Sequence, residues 1–389
     1  MKRYVTSVMA CSAVWLAACG DQMATQPRIT APPLSANADR GPDEGRHAVG
    51  GVYTSTNGAN GNAVIAFARF ENGSLAKLGE FKTGGSGIGG GVDPLQSQGA
   101  LVVSPSHKRL FVVNAASNTI STFAVSENAS LRLLGTVSSG GSGPISLTLA
   151  NNRLYVLNLD NSVSGFSTDG DDLPRPITHS HLSLGVASDG PSTIGASRDG
   201  RFLFVTQRGA GIIDVITVGE GGSLTVASRH ASSGNGPFGF AVTSRNQLVV
   251  SEAATAAVSS YALSGDGKLS TVSASLSTHQ AATCWLVLTK DGRFAFAANA
   301  GSGSISAYSV STEGSLSALN ADGRTGVTNG TGATPLDMDL SDDGKFLYVL
   351  QTGTGTIGAF AIGDHGRLNV LLDTPGLSAA AGFQGLAAF

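Results

Sequence analysis

The sequence predicts an all-β protein: a seven-bladed β-propeller of four-stranded antiparallel blades, its ring closed by the C-terminal strand. The first observation is Ser341–Leu368, SDDGKFLYVLQTGTGTIGAFAIGDHGRL, which reads as two hairpins in succession. Phe346–Leu350 and Thr356–Ile362 are short runs of aromatic, aliphatic and β-branched residues, and the Asp343-Gly344 pair supplies the positive φ of a tight turn. The second is recurrence. The cassette returns at Thr289–Leu316 and Ser197–Leu224, more loosely at Ser104–Leu131, Ala150–Leu173 and Thr243–Leu269, and in part at Tyr53–Leu75. The centres of the second strands are Tyr53, Phe111, Tyr155, Phe204, Val249, Phe296 and Tyr348, seven repeats spaced by 44 to 58 residues. Repeats of roughly 40–50 residues with about four short strands each characterise propellers. The third observation concerns the ends: the Tyr53 repeat lacks a preceding strand, and Gln384-Gly-Leu-Ala-Ala-Phe389 aligns with Gln98-Gly-Ala-Leu-Val-Val103. The last six residues are therefore expected to supply the missing inner strand, which removes two sheet edges at once.

From its start, the chain opens MKRYVTSVMACSAVWLAACG. Lys2 and Arg3 form a positive n-region, and Val5–Leu16 is apolar but too short to span a bilayer. Leu16-Ala17-Ala18-Cys19 resembles the lipobox of bacterial lipoproteins, in which the signal is cut before a cysteine that then carries lipid. An ordinary secretory signal cut after Ala18 is the other reading. Gly20 after the cysteine resembles sorting to the outer membrane. Gly20–Arg46, polar and rich in Pro, Ala, Asn and Gln, reads as a tether that cannot bury enough surface to offset its ordering entropy. The expected organisation is a signal at 1–18, a tether at 19–46 and a propeller at 47–389, which places the protein in the cell envelope on a lipid anchor.

Composition narrows the partners. Removing Met1–Ala18 takes the net charge from −3 to −5, because only Lys2 and Arg3 are lost. That mild acidity, without a Lys/Arg cluster, excludes nucleic acid as the expected partner. Cys284 is the one cysteine of the propeller and sits in an apolar strand, so it reads as a buried thiol; no disulfide and no zinc spacing exist there.

The inner strand of each blade is expected just before its Asp-Gly turn: Gln98–Val103, Pro144–Leu149, Pro191–Ala196, Pro237–Val242, Thr283–Leu288 and Pro335–Leu340. The SPDGR-like turns, the Phe/Tyr-Val-x-Asn strand ends and the DG-S-L hairpins resemble the lactonase-type propeller family, which includes 6-phosphogluconolactonase-like and 3-carboxymuconate-cyclase-like enzymes. The resemblance covers Val49–Phe389. It implies the fold, and lactone hydrolysis as the inherited activity, although a fold alone does not determine chemistry. Those enzymes carry a Pro-His-x-His-like element on an inner strand. Here the comparable strands read Gln98-Gly99-Ala100-Leu101 and Pro144-Ile145-Ser146-Leu147, so that acid/base pair has no counterpart.

The seven-fold register lets each blade serve as a control for the others. Inner strands start with Pro144, Pro191, Pro237 and Pro335 in four blades but with Gln98, Thr283 and Gln384 in three. Two residues on, Ala100, Ser146, Thr193, Gly239 and Leu386 are interrupted by Trp285 and Asp337 in neighbouring blades. The unusual residues Trp285, Asp337, Gln384 and Gln98 are thus expected on one arc of the channel mouth. A stacking surface, a carboxylate and two amides suit a small polar ligand of lactone or sugar-acid type, with Asp337 as acceptor or general base. The plainer reading is that Trp285 fills a gap between blades and Asp337 binds turn amides.

Asn114, Asn158, Gln207, Glu252, Asn299 and Gln351 form a repeated polar set at strand ends, expected to satisfy backbone groups of the following loops. Glu252 is the one acid among them and Arg208 the one cation beside them, which makes both second-rank candidates for base and oxyanion partner. A Ca²⁺ site through Asn299, Asp337 and Glu252, of the kind found in other propeller lactonases, has no loop motif here, so no cofactor is expected. His107 and His365 fall in turns, and His179, His181 and His230 on outer strands. His279 alone is expected near the channel mouth. The function expected is that of a monomeric, lipid-anchored, lactonase-like propeller; a non-catalytic envelope scaffold is the competing class, which a plugged channel would favour.

Overall fold

The computed structural model describes residues 47–170, 173–185, 190–328 and 332–389. The segments expected as signal and tether, with Cys19, lie outside the described residues. Seven antiparallel sheets are present, six of four strands and one of five, and no α-helix occurs among the described residues. The blades are numbered here from the N-terminus.

Blade 7 shows how the repeat folds. Its strands are Pro335–Leu340, Phe346–Gln351, Thr356–Ile362 and Leu368–Pro375, from channel to rim. The turn between the first two is built by its own side chains. Ser341 Oγ accepts the Phe346 amide at 3.0 Å, Asp343 accepts the Lys345 amide at 3.1 Å, and Gly344 takes φ 67°. The same contacts recur at Ser197/Asp199/Gly200 and Thr289/Asp291/Gly292. A hydroxyl, a carboxylate and a glycine at fixed offsets thus satisfy the turn amides locally. This is why the Ser/Thr-x-Asp-Gly signature marks the blades so clearly.

The strand centres Tyr53, Phe111, Tyr155, Phe204, Val249, Phe296 and Tyr348 are all buried, and pack into apolar layers between neighbouring sheets. Two of the tyrosines tie blades together through their hydroxyls, Tyr53 to the Ala129 carbonyl at 2.9 Å and Tyr348 to the Gly73 carbonyl at 3.0 Å. Gln384–Ala388 is the inner strand of blade 1 and pairs with Gly50–Ser55, with Val52 opposite Ala388 and Tyr53 opposite Ala387. The ring is therefore closed by its two ends, as the alignment of the terminal six residues predicts.

Two blades depart from the expected pattern. In blade 6 the outer strand is split into Leu316–Ala318 and Gly326–Val327, both paired with Ser304–Val310. In blade 2 the inner strand is only Leu101–Val103, where six residues from Gln98 are expected. Ser97–Gly99 leaves the sheet at Gly99, whose φ is 80°, and bonds to other blades instead. This departure shapes the channel.

Candidate functional site

Ser97–Gly99 reaches too many blades to lie anywhere but across the channel. Ser97 Oγ donates to the Ile145 carbonyl of blade 3 at 2.9 Å, and the Gln98 carbonyl accepts from Ser146 Oγ at 2.6 Å. The Gln98 carboxamide extends to blade 6, donating to the Leu286 carbonyl at 2.9 Å and accepting the Leu286 amide at 3.0 Å. The Gly99 amide donates to Asp337 of blade 7 at 3.3 Å. Gly239 of blade 5 leaves room for this plug: a β-carbon there would lie 2.1 Å from Gln98 Oε1 and 2.6 Å from the Cys284 carbonyl.

The arc of Trp285, Asp337, Gln384 and Gln98 therefore exists, and its members chiefly clamp the plug. Trp285 is fully buried, donates its indole N–H to the Ser97 carbonyl at 3.0 Å and meets Phe238 edge-on at 5.2 Å. Its faces are taken by protein, so the stacking platform expected there is not offered to a ligand. Asp337 accepts the Gly99 amide and, at 2.9 Å, the Gly385 amide of the closing strand. Gln384 is buried, with its Nε2 on the Phe383 carbonyl and its Oε1 lacking a hydrogen-bond partner.

Beyond the plug lies a cavity of about 500 Å³. Its closed end is formed by Gln98, Gly99 and Asp337, its wall includes Thr148, Thr193 and Asp339, and its rim carries His107, Arg198, Lys290 and Asp342. The rim is made by the turns that follow the inner strands. The expectation had been the opposite mouth, where those strands start. At the rim, His107 Nε2 lies 2.6 Å from Asp342 Oδ2, Lys290 bonds to the other carboxylate oxygen, and the imidazole stacks on Phe389 at 4.5 Å. These groups come from blades 2, 7, 6 and 1.

Three carboxyl groups lie near the plug, Asp337 and Asp93 buried and Asp339 half-buried in the cavity wall. Burial pushes Asp337 up to about 8, with the charges of Asp93 and Asp339 adding to it and the Gly99 and Gly385 amides opposing it. Burial raises Asp339 to about 6 against the pull of the Ala388 and Leu340 amides and Lys290. Burial raises Asp93, on the far side of the plug, to about 7, while Gln384 and Arg208 hold it down. Acids that repel one another through so little solvent cannot all ionise cheaply at neutral pH.

The other expected residues lie elsewhere. Glu252 is buried in blade 5, where its Oε1 accepts from Ser232 Oγ at 2.9 Å, the Gly234 amide at 2.7 Å and Ser259 Oγ at 2.8 Å. It holds a loop rather than lining the cavity. His279 is exposed, and the neighbouring Gln280 ties its loop to Asp322 at 2.7 Å and to Arg324 at 3.1 Å, on the outer side of blade 6. Arg208 is near enough to Asp93 to favour its ionised form and does not line the cavity. The strand-end polar set does less for following loops than expected and more for hydroxyls and acids of its own blade. Asn299 binds Thr283, Ser304 and Ser306, Gln207 binds Asp214, and Gln351 binds Asp373. Asn299, Asp337 and Glu252 belong to three separate hydrogen-bond sets and do not fit a shared calcium ion. No group of three or more His, Cys, Asp or Glu side chains among the described residues is arranged to hold a metal.

Sequence reasoning missed Asp339, Asp93, Asp342, Lys290, Arg198 and the role of His107 in the rim. Asp339 had a signal: it stands two residues from Asp337 on one strand, hence on the same face.

The sequence matches the family described as Lactonase, 7-bladed beta-propeller, over residues 60–158, 145–282 and 249–369. No curated protein matches it. Among solved structures, a protein proposed to be a 6-phosphogluconolactonase from Bacteroides fragilis is 18% identical, covers 90% of this chain and 100% of its own, and has a TM-score of 0.70. A protein from Lactobacillus plantarum is 14% identical, with 87% and 99% coverage and a TM-score of 0.71. The periplasmic gluconolactonase of Pseudomonas aeruginosa is 18% identical, with 87% and 98% coverage and a TM-score of 0.67. At these identities the likeness is one of fold.

Proposed function

The chain belongs to the lactonase family of seven-bladed β-propellers, and on that premise we propose that it binds and hydrolyses a small polar ligand of lactone or sugar-acid type in the channel cavity. The observation that carries this reading is the cavity itself: about 500 Å³, closed at one end by the plug, with carboxyl groups in its wall and cations at its rim. That volume suits one sugar-sized molecule. Asp339 and the threonine hydroxyls suit ligand hydroxyl groups, and Arg198 and Lys290 suit a carbonyl oxygen that gains negative charge or the carboxylate of the product. The gluconolactonase neighbour supports the same substrate chemistry by its name alone.

We place the protein in the cell envelope, exported through the signal at residues 1–18 and lipid-anchored at Cys19. A periplasmic neighbour of the same fold supports this placement. Among the described residues no helix is long and apolar enough to cross a membrane.

The test is a panel of sugar lactones, simple aliphatic lactones and sugar acids, followed by thermal shift and by acid release. A stabilising ligand whose effect is lost in Asp339→Asn is expected. No binding and no hydrolysis across the panel would overturn the reading. One observation favours a second reading, a non-catalytic envelope scaffold: the plug shuts one mouth of the channel. In that case envelope components, and no small molecule, would bind.

A further inference from the structure

We propose that His107, oriented by Asp342, is the general base of the site, taking a proton from water at the rim of the cavity; this rests on the lactone chemistry already proposed. The geometry is that of a base and its orienting acid. His107 Nε2 stands 2.6 Å from Asp342 Oδ2, and the ring lies on Phe389 with an interplanar angle of 15°. A carboxylate accepts, so Nε2 carries the hydrogen and Nδ1 carries the lone pair that a base needs. The stack and the hydrogen bond to Asp342 together restrain the ring's tilt and rotation. Neither residue is sealed by this arrangement: the two side chains remain 38% and 40% exposed, and both line the cavity. A contact that served only to join blades would gain from being closed to water.

The surrounding charges fit the reaction. Lys290 neutralises the second oxygen of Asp342, Asp339 lies further along the wall, and Lys108 follows His107 in the chain. Arg198 is exposed at the same rim, and its guanidinium has no hydrogen bond or ion pair among the described residues.

In the step, Nδ1 removes a proton from water as the water oxygen bonds to the lactone carbonyl carbon. The π pair moves onto the carbonyl oxygen, where Arg198 and Lys290 offset its charge. Collapse of that intermediate breaks the ring C–O bond, and the leaving ring oxygen takes the proton back from Nδ1. Lactone and water become a hydroxy acid, and the imidazole is neutral again.

His107→Asn tests this on the whole mature chain with the panel lactone that the wild type hydrolyses fastest. Residue 107 has φ 57°, a conformation asparagine tolerates, so the fold should survive although the shorter side chain gives up the bond that Nε2 makes to Asp342. The expected result is a fall in kcat of roughly 10²–10⁴ with KM changed less than about twofold. In His107→Ala, free imidazole should restore turnover, which a structural role would not allow. Asp342→Asn should lower kcat more than it changes KM, because the ring loses the carboxylate that orients it. If the wild type hydrolyses the lactone and His107→Asn does so equally well, this assignment is wrong while the lactonase reading stands. If the wild type hydrolyses none, both fall.

Discussion

The carboxamide of Gln98 pairs with the backbone of Leu286 as a neighbouring strand would, donating to its carbonyl at 2.9 Å and accepting its amide at 3.0 Å. One side chain thereby crosses from blade 2 to blade 6 and closes the channel. Gln98→Ala should leave both backbone groups unpaired in a buried place, at a cost of about 1–3 kcal/mol. Gln98→Glu should cost more, because a carboxylate would face the Leu286 carbonyl. Urea unfolding measures both, and an alanine variant as stable as wild type would mean the plug does not contribute to stability.

The three acids near the plug predict the direction of the pH dependence. The folded protein holds protons on Asp339, Asp93 and Asp337 up to about 6, 7 and 8, whereas the unfolded chain releases them near the ordinary value of 3.8. Their contribution is fully present below that ordinary value and is lost as pH rises through the three folded values. Stability should therefore decline from pH 5 to pH 9 by more than ~1.4 kcal/mol, the worth of one pKa unit. The lowered groups Asp199, Asp266, Asp291, Asp343 and Glu313 act in the opposite sense but only in acid, below their ordinary range. Melting temperatures across that range should show the decline, and Asp337→Asn should flatten it. A flat wild-type profile would contradict the raised values of these three acids.

Deleting Gln384–Phe389 should open the ring. Gly50–Ser55 would lose its partner strand, and Asp337 and Asp339 would lose the amides of Gly385 and Ala388. The combined loss of core and of buried hydrogen bonds should amount to several kcal/mol and expose an apolar strand edge. Calorimetry and light scattering of the truncated chain would show a lowered transition and association. A monomer that melts like wild type would argue against this closure.

Replacing Cys19 with Ser should abolish lipid labelling and move the protein from the membrane fraction to the soluble one. The expectation rests on the lipobox-like Leu16–Cys19. Labelling that persists in this variant would refute the anchor.

The propeller, its seven blades and its closing strand were legible in the sequence because they rest on local rules. A Ser/Thr-x-Asp-Gly turn satisfies its own amides, a strand alternates its faces, and a repeat that lacks a strand must find it at the other end. The arc of Trp285, Asp337, Gln98 and Gln384 was legible for a related reason, since a residue that breaks a repeat stands out against its equivalents. What those residues do there was not. Whether Trp285 faced a ligand or Phe238 depended on Ser97–Gly99 leaving its own sheet for the axis, a choice made by hydrogen bonds to blades 3, 6 and 7. His107 looked like a solvated turn residue because its partners, Asp342 and Phe389, are more than two hundred residues away in the chain. Only ring closure sets blades 1, 2 and 7 side by side, and no spacing in a linear sequence encodes which turns then meet across the mouth of the channel.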